Sequence, residues 1–191
     1  LVGVSMCVEE GKACYIPLAH NPSNKLNKES VLKKLKPLLE DKSTKKIGQN
    51  IKYDLIVFFN NGINLNSIED TMLMSYTLDA GNHRHNMDLL SEIHLDHKTI
   101  KFKDVVGSGK NQITFDKVDI DKATEYAAED ADITFRLYKI FLEKLKNEKL
   151  LYIYELFEKP MIYILAKMEN LGIKIDKDLL KKKSKNFEIE I

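Results

Sequence analysis

The 191 residues carry 30 basic and 29 acidic side chains, a formal charge of +1, with 43% hydrophobic content, enough to bury one domain and part of a second. No run approaches the roughly 18 to 20 uncharged apolar residues of a membrane helix, and the start lacks the basic-then-apolar pattern of a secretory signal, which excludes those two classes of segment. The balanced charge neither announces nor excludes a nucleic-acid partner; the expectation is a globular cytoplasmic protein in which Cys7 and Cys14, on segments that read as paired strands, stay reduced and buried.

Residues 1–8 are apolar and β-prone, Glu9-Glu10-Gly11-Lys12 is a turn signal, and residues 13–18 form a second apolar run, which together predict a β-hairpin. Positions 21–27 read as a polar loop. Leu26, Val31, Leu32, Leu35, Leu38 and Leu39 then recur at helical spacing, with Pro37 expected to kink or end that helix. A short strand over 46–48 leads directly into Gln49-Asn50. From there Ile51, Asp54, Leu55 and Phe58 share one helix face, with Asn50 as N-cap and Asn61-Gly62 as the stop.

Residues 63–68 read as extended and 71–78 as a helix. Asn86 caps a further helix over 87–95, whereas 98–115, with Gly107 and Gly109, is mostly loop. Asp119 or Asp121 opens a long helix that runs to about Lys146. Past a charged run over 143–149, helical patterning resumes over 150–171 with Pro160 inside it, followed by an extended link at 172–176 and another helix. Strands early and helices later predict an α/β fold, a mixed sheet flanked by helices, with a domain boundary dividing 1–148 from 149–191. Beginning at Leu1 and ending in a helical pattern, the sequence reads as a piece of a longer chain.

The most informative run is Tyr126-Ala127-Ala128-Glu129-Asp130-Ala131-Asp132. Residues four apart share a helix face, and Ile133, Leu137 and Ile140 or Phe141 continue it, so Tyr126 and Asp130 are expected to point inward. A carboxylate there needs a salt bridge, a hydrogen-bond network or a metal ion. Asp54 sits in an apolar stripe in the same way. Two such aspartates suit a hard cation such as Mg²⁺ or Mn²⁺, and a pair of these ions about 3.5–4 Å apart can support phosphodiester hydrolysis. Helix capping and ion pairing are the structural alternatives. The acidic stretch over 116–132 and the basic run Lys181-Lys182-Lys183 with Lys185 read as solvated helix surface. His83-Arg84-His85 and His94-Leu95-Asp96-His97 match no closed tetrahedral zinc set, so the five histidines are expected at the surface or at caps.

Gly48-Gln49-Asn50-Ile51-Lys52-Tyr53-Asp54 and the Tyr126 to Asp132 run resemble the second and third motifs of the 3′-to-5′ proofreading exonuclease domain of bacterial DNA polymerase I, a DEDDy-type domain of the family A polymerases. Asp70-Thr71-Met72-Leu73, His85-Asn86-Met87-Asp88, His97-Lys98-Thr99-Ile100-Lys101-Phe102 and Gly109-Lys110-Asn111-Gln112 are similar to that family in type and order. Residues 154–176 are similar to the start of its polymerase domain, so the resemblance covers nearly the whole chain.

The resemblance implies a ribonuclease H-like exonuclease fold over 1–148 and the helical start of a polymerase domain over 149–191. It implies removal of 3′-terminal nucleotides from single-stranded or frayed DNA with two divalent cations, Mg²⁺ or Mn²⁺. The partners would be DNA and the remainder of the polymerase polypeptide, in the bacterial cytoplasm and away from membranes. Asp130 would ligate the catalytic metal directly, Asp54 would act on the second metal largely through water, and Tyr126 would orient the attacking water. Gln49, Asn50 and Tyr53 would line the substrate cleft, and Phe102 would stack on the terminal nucleotides. The alternatives are helix capping for Gln49 and Asn50 and ordinary loop packing for Phe102.

The family's first motif, an Asp-x-Glu on the first strand that supplies two of four metal-binding carboxylates, has no counterpart in this sequence. Glu9-Glu10 lies in a turn and cannot replace a pair that alternates along a buried strand. That strand is central in the family's sheet, so its loss is expected to leave two strands without their neighbour. The isolated chain is therefore expected to be inactive or nearly so. Asn86 stands where the family often has aspartate. Two rival readings are a ribonuclease D-like exoribonuclease, which shares Tyr-x-x-x-Asp but not the polymerase-like tail, and a catalytically inactive scaffold or DNA-binding domain, against which Asp54 and Asp130 speak.

Overall fold

The computed structural model describes residues 1–20 and 26–190, so most of the loop expected over 21–27 lies outside the described residues. β1 (Gly3–Glu9) and β2 (Lys12–Pro17) pair antiparallel, from Gly3 opposite Pro17 to Glu9 opposite Lys12. Gly11 turns the hairpin at φ 73°, a left-handed conformation that costs glycine little. Both cysteines are free, but the expectation of a buried pair is corrected. Side chains alternate across a strand, and Cys14 shares the solvent face with Lys12 while Cys7 is half-buried.

α1 (Lys28–Glu40) is capped by Asn27, whose side chain accepts from the Ser30 N–H at 2.9 Å. Pro37 does not end it: the helix continues to Glu40, with Pro37 on the exposed face where water can reach the carbonyl that lost its donor. β3 (Lys46–Gly48) and β4 (Ile68–Asp70) pair parallel, with Gly48 opposite Asp70. The expected mixed sheet is thus found as two separate ladders, one antiparallel and one parallel, and each strand has a single hydrogen-bonded neighbour among the described residues. The extended piece expected over 63–68 is irregular until Ile68; Ile63 and Leu65 act there as buried anchors.

α2 (Ile51–Phe59) and α3 (Thr71–Asp79) follow the two parallel strands, and Gly62 at φ 76° follows the α2 terminus. α4 (Met87–Leu95) starts at Asn86, although the Asn86 side chain makes no cap hydrogen bond. Within the segment expected to be loop, α5 (Phe102–Val106) is followed by single 3₁₀ turns at Gly109–Asn111 and Phe115–Lys117. α6 (Ile120–Asn147) opens on Asp119, whose carboxylate accepts from the N–H groups of Asp121 at 3.1 Å and Lys122 at 3.4 Å, which decides between the two candidate caps. Its buried stripe packs Ile133, Leu137, Phe141 and Leu145 with Met74 and Leu90. A second cluster joins Val4 and Leu32 to Ile51, Phe58 and Ile68.

α7 (Leu151–Ile153) runs through a π turn at Tyr154–Glu158 into α8 (Lys159–Leu171). Pro160 has no N–H to give an α-type bond, and the Lys159 N–H instead reaches back five residues to the Tyr154 carbonyl. Tyr154 is buried in the α6 cluster, whereas Ile162, eight positions on, is buried in the cluster of α2. An extended link at 172–176 then leads to α9 (Lys177–Glu190), exposed over residues 177–189. Among the described residues no helix is long and apolar enough to cross a membrane.

Candidate metal and substrate site

Tyr126 and Asp130 lie one turn apart on α6, half-buried at the edge of its apolar stripe rather than at its centre; the centre is taken by Ala123, Ala127, Ile133 and Leu137. Loss of water pushes the Asp130 carboxyl up to about 7, Glu129 and Asp88 add smaller repulsions, and hydrogen bonding from the Tyr126 hydroxyl opposes them. Burial, and then Asp130, hold the Tyr126 phenol well above its ordinary value, so it stays a protonated donor. Asp130 Oδ1 is buried and has no hydrogen-bond partner. A buried acceptor left unpaired in this way costs stability unless something fills it.

Phe102, at the start of α5, is 48% exposed, and its ring centroid lies 5.8 Å from that of Tyr126. Phe115 closes the group at 6.1 Å from Phe102 and 5.9 Å from Tyr126. The loop before Phe102 is fixed to α6 by Glu129, one residue from Asp130. Its Oε1 pairs with His97 Nε2 at 2.8 Å and its Oε2 accepts from the Ile100 N–H at 2.7 Å. Thr99 donates to Asp88 Oδ1 at 2.7 Å on the same loop. The sequence reading missed Glu129, Phe115 and Asp88 as parts of this arrangement. The signals present were Glu129 and Asp88 inside the matched motifs, but nothing local marked their partners.

The second group stands at the parallel strands. Gln49 donates to the His85 carbonyl at 2.7 Å and accepts from the Thr71 hydroxyl at 2.5 Å. Asn50 occupies the N-cap position of α2 with a left-handed backbone, φ 58° and ψ 47°, but its side chain makes no cap hydrogen bond, which corrects the capping expectation. The cap comes from Asp70, 1% exposed. Asp70 accepts from the N–H groups of Asn50 and Ile51, each at 3.0 Å, and also from Met72 at 2.9 Å at the start of α3. One carboxylate therefore satisfies the first donors of two helices. Gly48 is needed where the strand enters α2, because a Cβ there would meet Ile51 at 2.8 Å.

Asp54, in the first turn of α2, does not point inward as expected: it and Tyr53 are solvent-accessible, while Ile51 and Phe58 fill the buried face. Protein on its flanks still removes enough water to push its carboxyl up to about 6, with a smaller repulsion from Asp70. Its accessibility limits how much of that shift survives screening by solvent.

The structure brings Tyr126, Asp130 and Phe102 together, and Gln49, Asn50 and Asp54 into a second group. No group of three or more His, Cys, Asp or Glu side chains among the described residues is placed to hold a metal ion. The orphaned Oδ1 of Asp130, a carboxylate oxygen, nevertheless suits a hard divalent cation. Asp132 does not: it accepts from the Gly11 N–H at 2.7 Å and ties the hairpin turn to α6. Nor are all histidines at the surface, since His20 is 6% exposed and pairs with the Tyr15 hydroxyl at 2.7 Å.

Solved structures share this architecture. The POL domain of Pol1 from M. smegmatis in complex with DNA primer-template and dNTP superposes with a TM-score of 0.69 at 20% identity, over 93% of this chain and 27% of that one. NrnC of Brucella melitensis does so with a TM-score of 0.64 at 21% identity, over 85% of this chain and 72% of that one. The class is thus the ribonuclease H-like exonuclease fold. The family model described as 3′-5′ exonuclease matches residues 1–146, and the chain belongs to this family, the exonuclease domain of the DNA polymerase A proteins. DNA polymerase I of Rhizobium leguminosarum is 43% identical over 204 residues, covering 96% of this chain and 20% of that protein. DNA polymerase I of Pseudomonas aeruginosa is 44% identical over 187 residues, covering 94% and 20%. The chain spans about a fifth of the length of these relatives. The family uses divalent metal ions.

Proposed function

We propose that this chain is the proofreading exonuclease part of a DNA polymerase I-like protein of the bacterial cytoplasm, acting on single-stranded or frayed 3′ ends of DNA. Residues 149–191 begin its polymerase domain and lead into the remainder of that polypeptide. The observation that carries the reading is the buried, unpartnered Oδ1 of Asp130 beside a protonated Tyr126, on a helix of the 3′-5′ exonuclease family.

When bound, two divalent cations, Mg²⁺ or Mn²⁺, supply activation of water and neutralisation of charge on the leaving oxygen. Asp130 and Asp54 would hold them, together with two further carboxylates of an Asp-x-Glu pair that this sequence does not contain. The Tyr126 hydroxyl keeps its proton and orients the attacking water. Phe102 stacks on the terminal base, and Gln49, Asn50 and Tyr53 line the cleft that receives the strand. The water oxygen bonds to the terminal phosphorus, the bond to the preceding 3′ oxygen breaks, and that oxygen takes up a proton as the new 3′ end. A nucleoside 5′-monophosphate leaves.

The test follows a labelled oligonucleotide with the protein extended upstream to include the missing motif, in EDTA, Mg²⁺ and Mn²⁺. Metal-dependent shortening from the 3′ end, abolished by Asp130→Ala, is expected, and the isolated chain should be inactive or nearly so. No shortening by the extended protein, or shortening unchanged by Asp130→Ala, overturns the reading. Faster cleavage of RNA than of DNA overturns the substrate and favours a ribonuclease D-like enzyme, and DNA binding without cleavage favours a scaffold.

A further inference from the structure

Asp70 does more than cap. It ends β4, and its backbone N–H is not spent on the ladder but donates to the Tyr154 hydroxyl at 2.9 Å. Tyr154 is 0% exposed and belongs to the π turn of the tail. Its own O–H donates to Glu69 Oε2 at 3.0 Å, and Glu69, 3% exposed, also receives Lys159 at 2.9 Å. On the other side, the Asp70 carboxylate holds the N–H groups of Asn50 and Ile51. Three residues after Ile51 comes Asp54. From the tail hydroxyl to the helix that carries Asp54, only Asp70 intervenes.

Asn50 makes this connection mechanically sensitive. At φ 58° and ψ 47° Asn50 lies in the left-handed region, which asparagine tolerates better than other non-glycine residues but leaves more easily once its backbone N–H is released. Its N–H is one of those held by Asp70. Loosening that hold lets Asn50 relax, and the first turn of α2 turns with it.

Resting on the functional reading above, we propose that Asp70 and Tyr154 are positioning residues for Asp54: the buried tail hydroxyl fixes the end of β4, and the Asp70 carboxylate passes that position to the first turn of α2. The tail thereby sets the geometry of a metal ligand it does not touch. Partners one step removed from a ligand typically change metal affinity or activity by roughly 10- to 100-fold when lost.

Four variants of the full-length protein that carries this chain test the proposal. Tyr154→Phe removes the hydroxyl and keeps the ring; Glu69→Gln takes the charge from the other partner of that hydroxyl, keeping an oxygen that can accept from it, and leaves the hydroxyl's bond to the Asp70 N–H. In the metal-free protein, amide hydrogen exchange at Asn50 and Ile51 should quicken in Tyr154→Phe and stay at the wild-type rate in Glu69→Gln. In turnover assays Tyr154→Phe should raise the half-saturating Mn²⁺ concentration about 10-fold with an unchanged KM for the oligonucleotide. Asp70→Asn, whose amide offers one acceptor oxygen instead of two, should do the same more strongly; if it fails to fold, Tyr154→Phe alone decides. Wild-type exchange and Mn²⁺ dependence in Tyr154→Phe overturn the proposal, as does Glu69→Gln matching it, which would indicate general packing. Full activity in Asp54→Ala would instead sink the metal-site reading, and the exchange result would then show whether the mechanical link stands without it.

Discussion

Replacing Asp130 with asparagine should stabilise the metal-free protein at neutral and alkaline pH while abolishing hydrolysis. The rise of its carboxyl from 3.8 to about 7 corresponds to about 4 kcal/mol at about 1.4 kcal/mol per pH unit. Asp130 is half-buried, and water that reaches it reduces the usable figure to about 2 kcal/mol. The sign follows from proton binding. Between pH 4 and 7 the folded state holds the proton that the unfolded state has released, so stability contributed by this group is full below about pH 4, falls as pH rises, and levels off above about 7. Asparagine does not titrate. Urea unfolding in EDTA should therefore give equal stabilities for wild type and Asp130→Asn near pH 4, and a gain of about 2 kcal/mol for the variant at pH 8. Adding Mn²⁺ should stabilise the wild type at pH 8 and leave the variant unmoved. No gain at pH 8, or the same gain at both pH values, would show that Asp130 already has its charge satisfied by protein groups, and the inference from its orphaned oxygen would fail.

Two further outcomes follow from burial. Phe102→Ala should weaken oligonucleotide binding by about 1–3 kcal/mol, read as a higher KM, with almost no change in unfolding midpoint because the ring is 48% exposed. Leu137→Ala, at a position 0% exposed in the α6 cluster, should cost about 2–5 kcal/mol of stability by denaturant unfolding.

The elements with strong local signals were legible. The hairpin follows from its Glu-Gly-Lys turn, the start of α6 from capping chemistry that leaves Asp119 or Asp121, and the placement of Tyr126 and Asp130 one turn apart from helical period alone, whereas Asn27, the cap of α1, read only as loop. What failed was each inference that needed a partner distant in sequence. Asn50 stood where an N-cap belongs, yet the capping carboxylate came from Asp70, 20 residues away. An Asp before the Thr71 helix is a readable cap for α3, but nothing local says that it caps α2 as well. Asp54 shared its spacing with Ile51 and Phe58, yet in the first turn of α2 it is accessible while those two fill the buried face. The short helix at Phe102 was hidden because its anchor, Glu129, lies on another element.

The π turn at Tyr154–Glu158 makes the length of the tail as constrained as its composition. It places one more residue in a turn than an α-helix would, which lets Tyr154 face Glu69 and Asp70 while Ile162 and Ala166 face α2 and the cluster beneath it. Inserting one residue there, beyond the one the π turn already absorbs, would rotate everything downstream by about 100°. Ile162 would leave its seat although every side chain type remained. This stretch should accept substitutions far more readily than insertions, so that added length belongs in the loops and not in this helix.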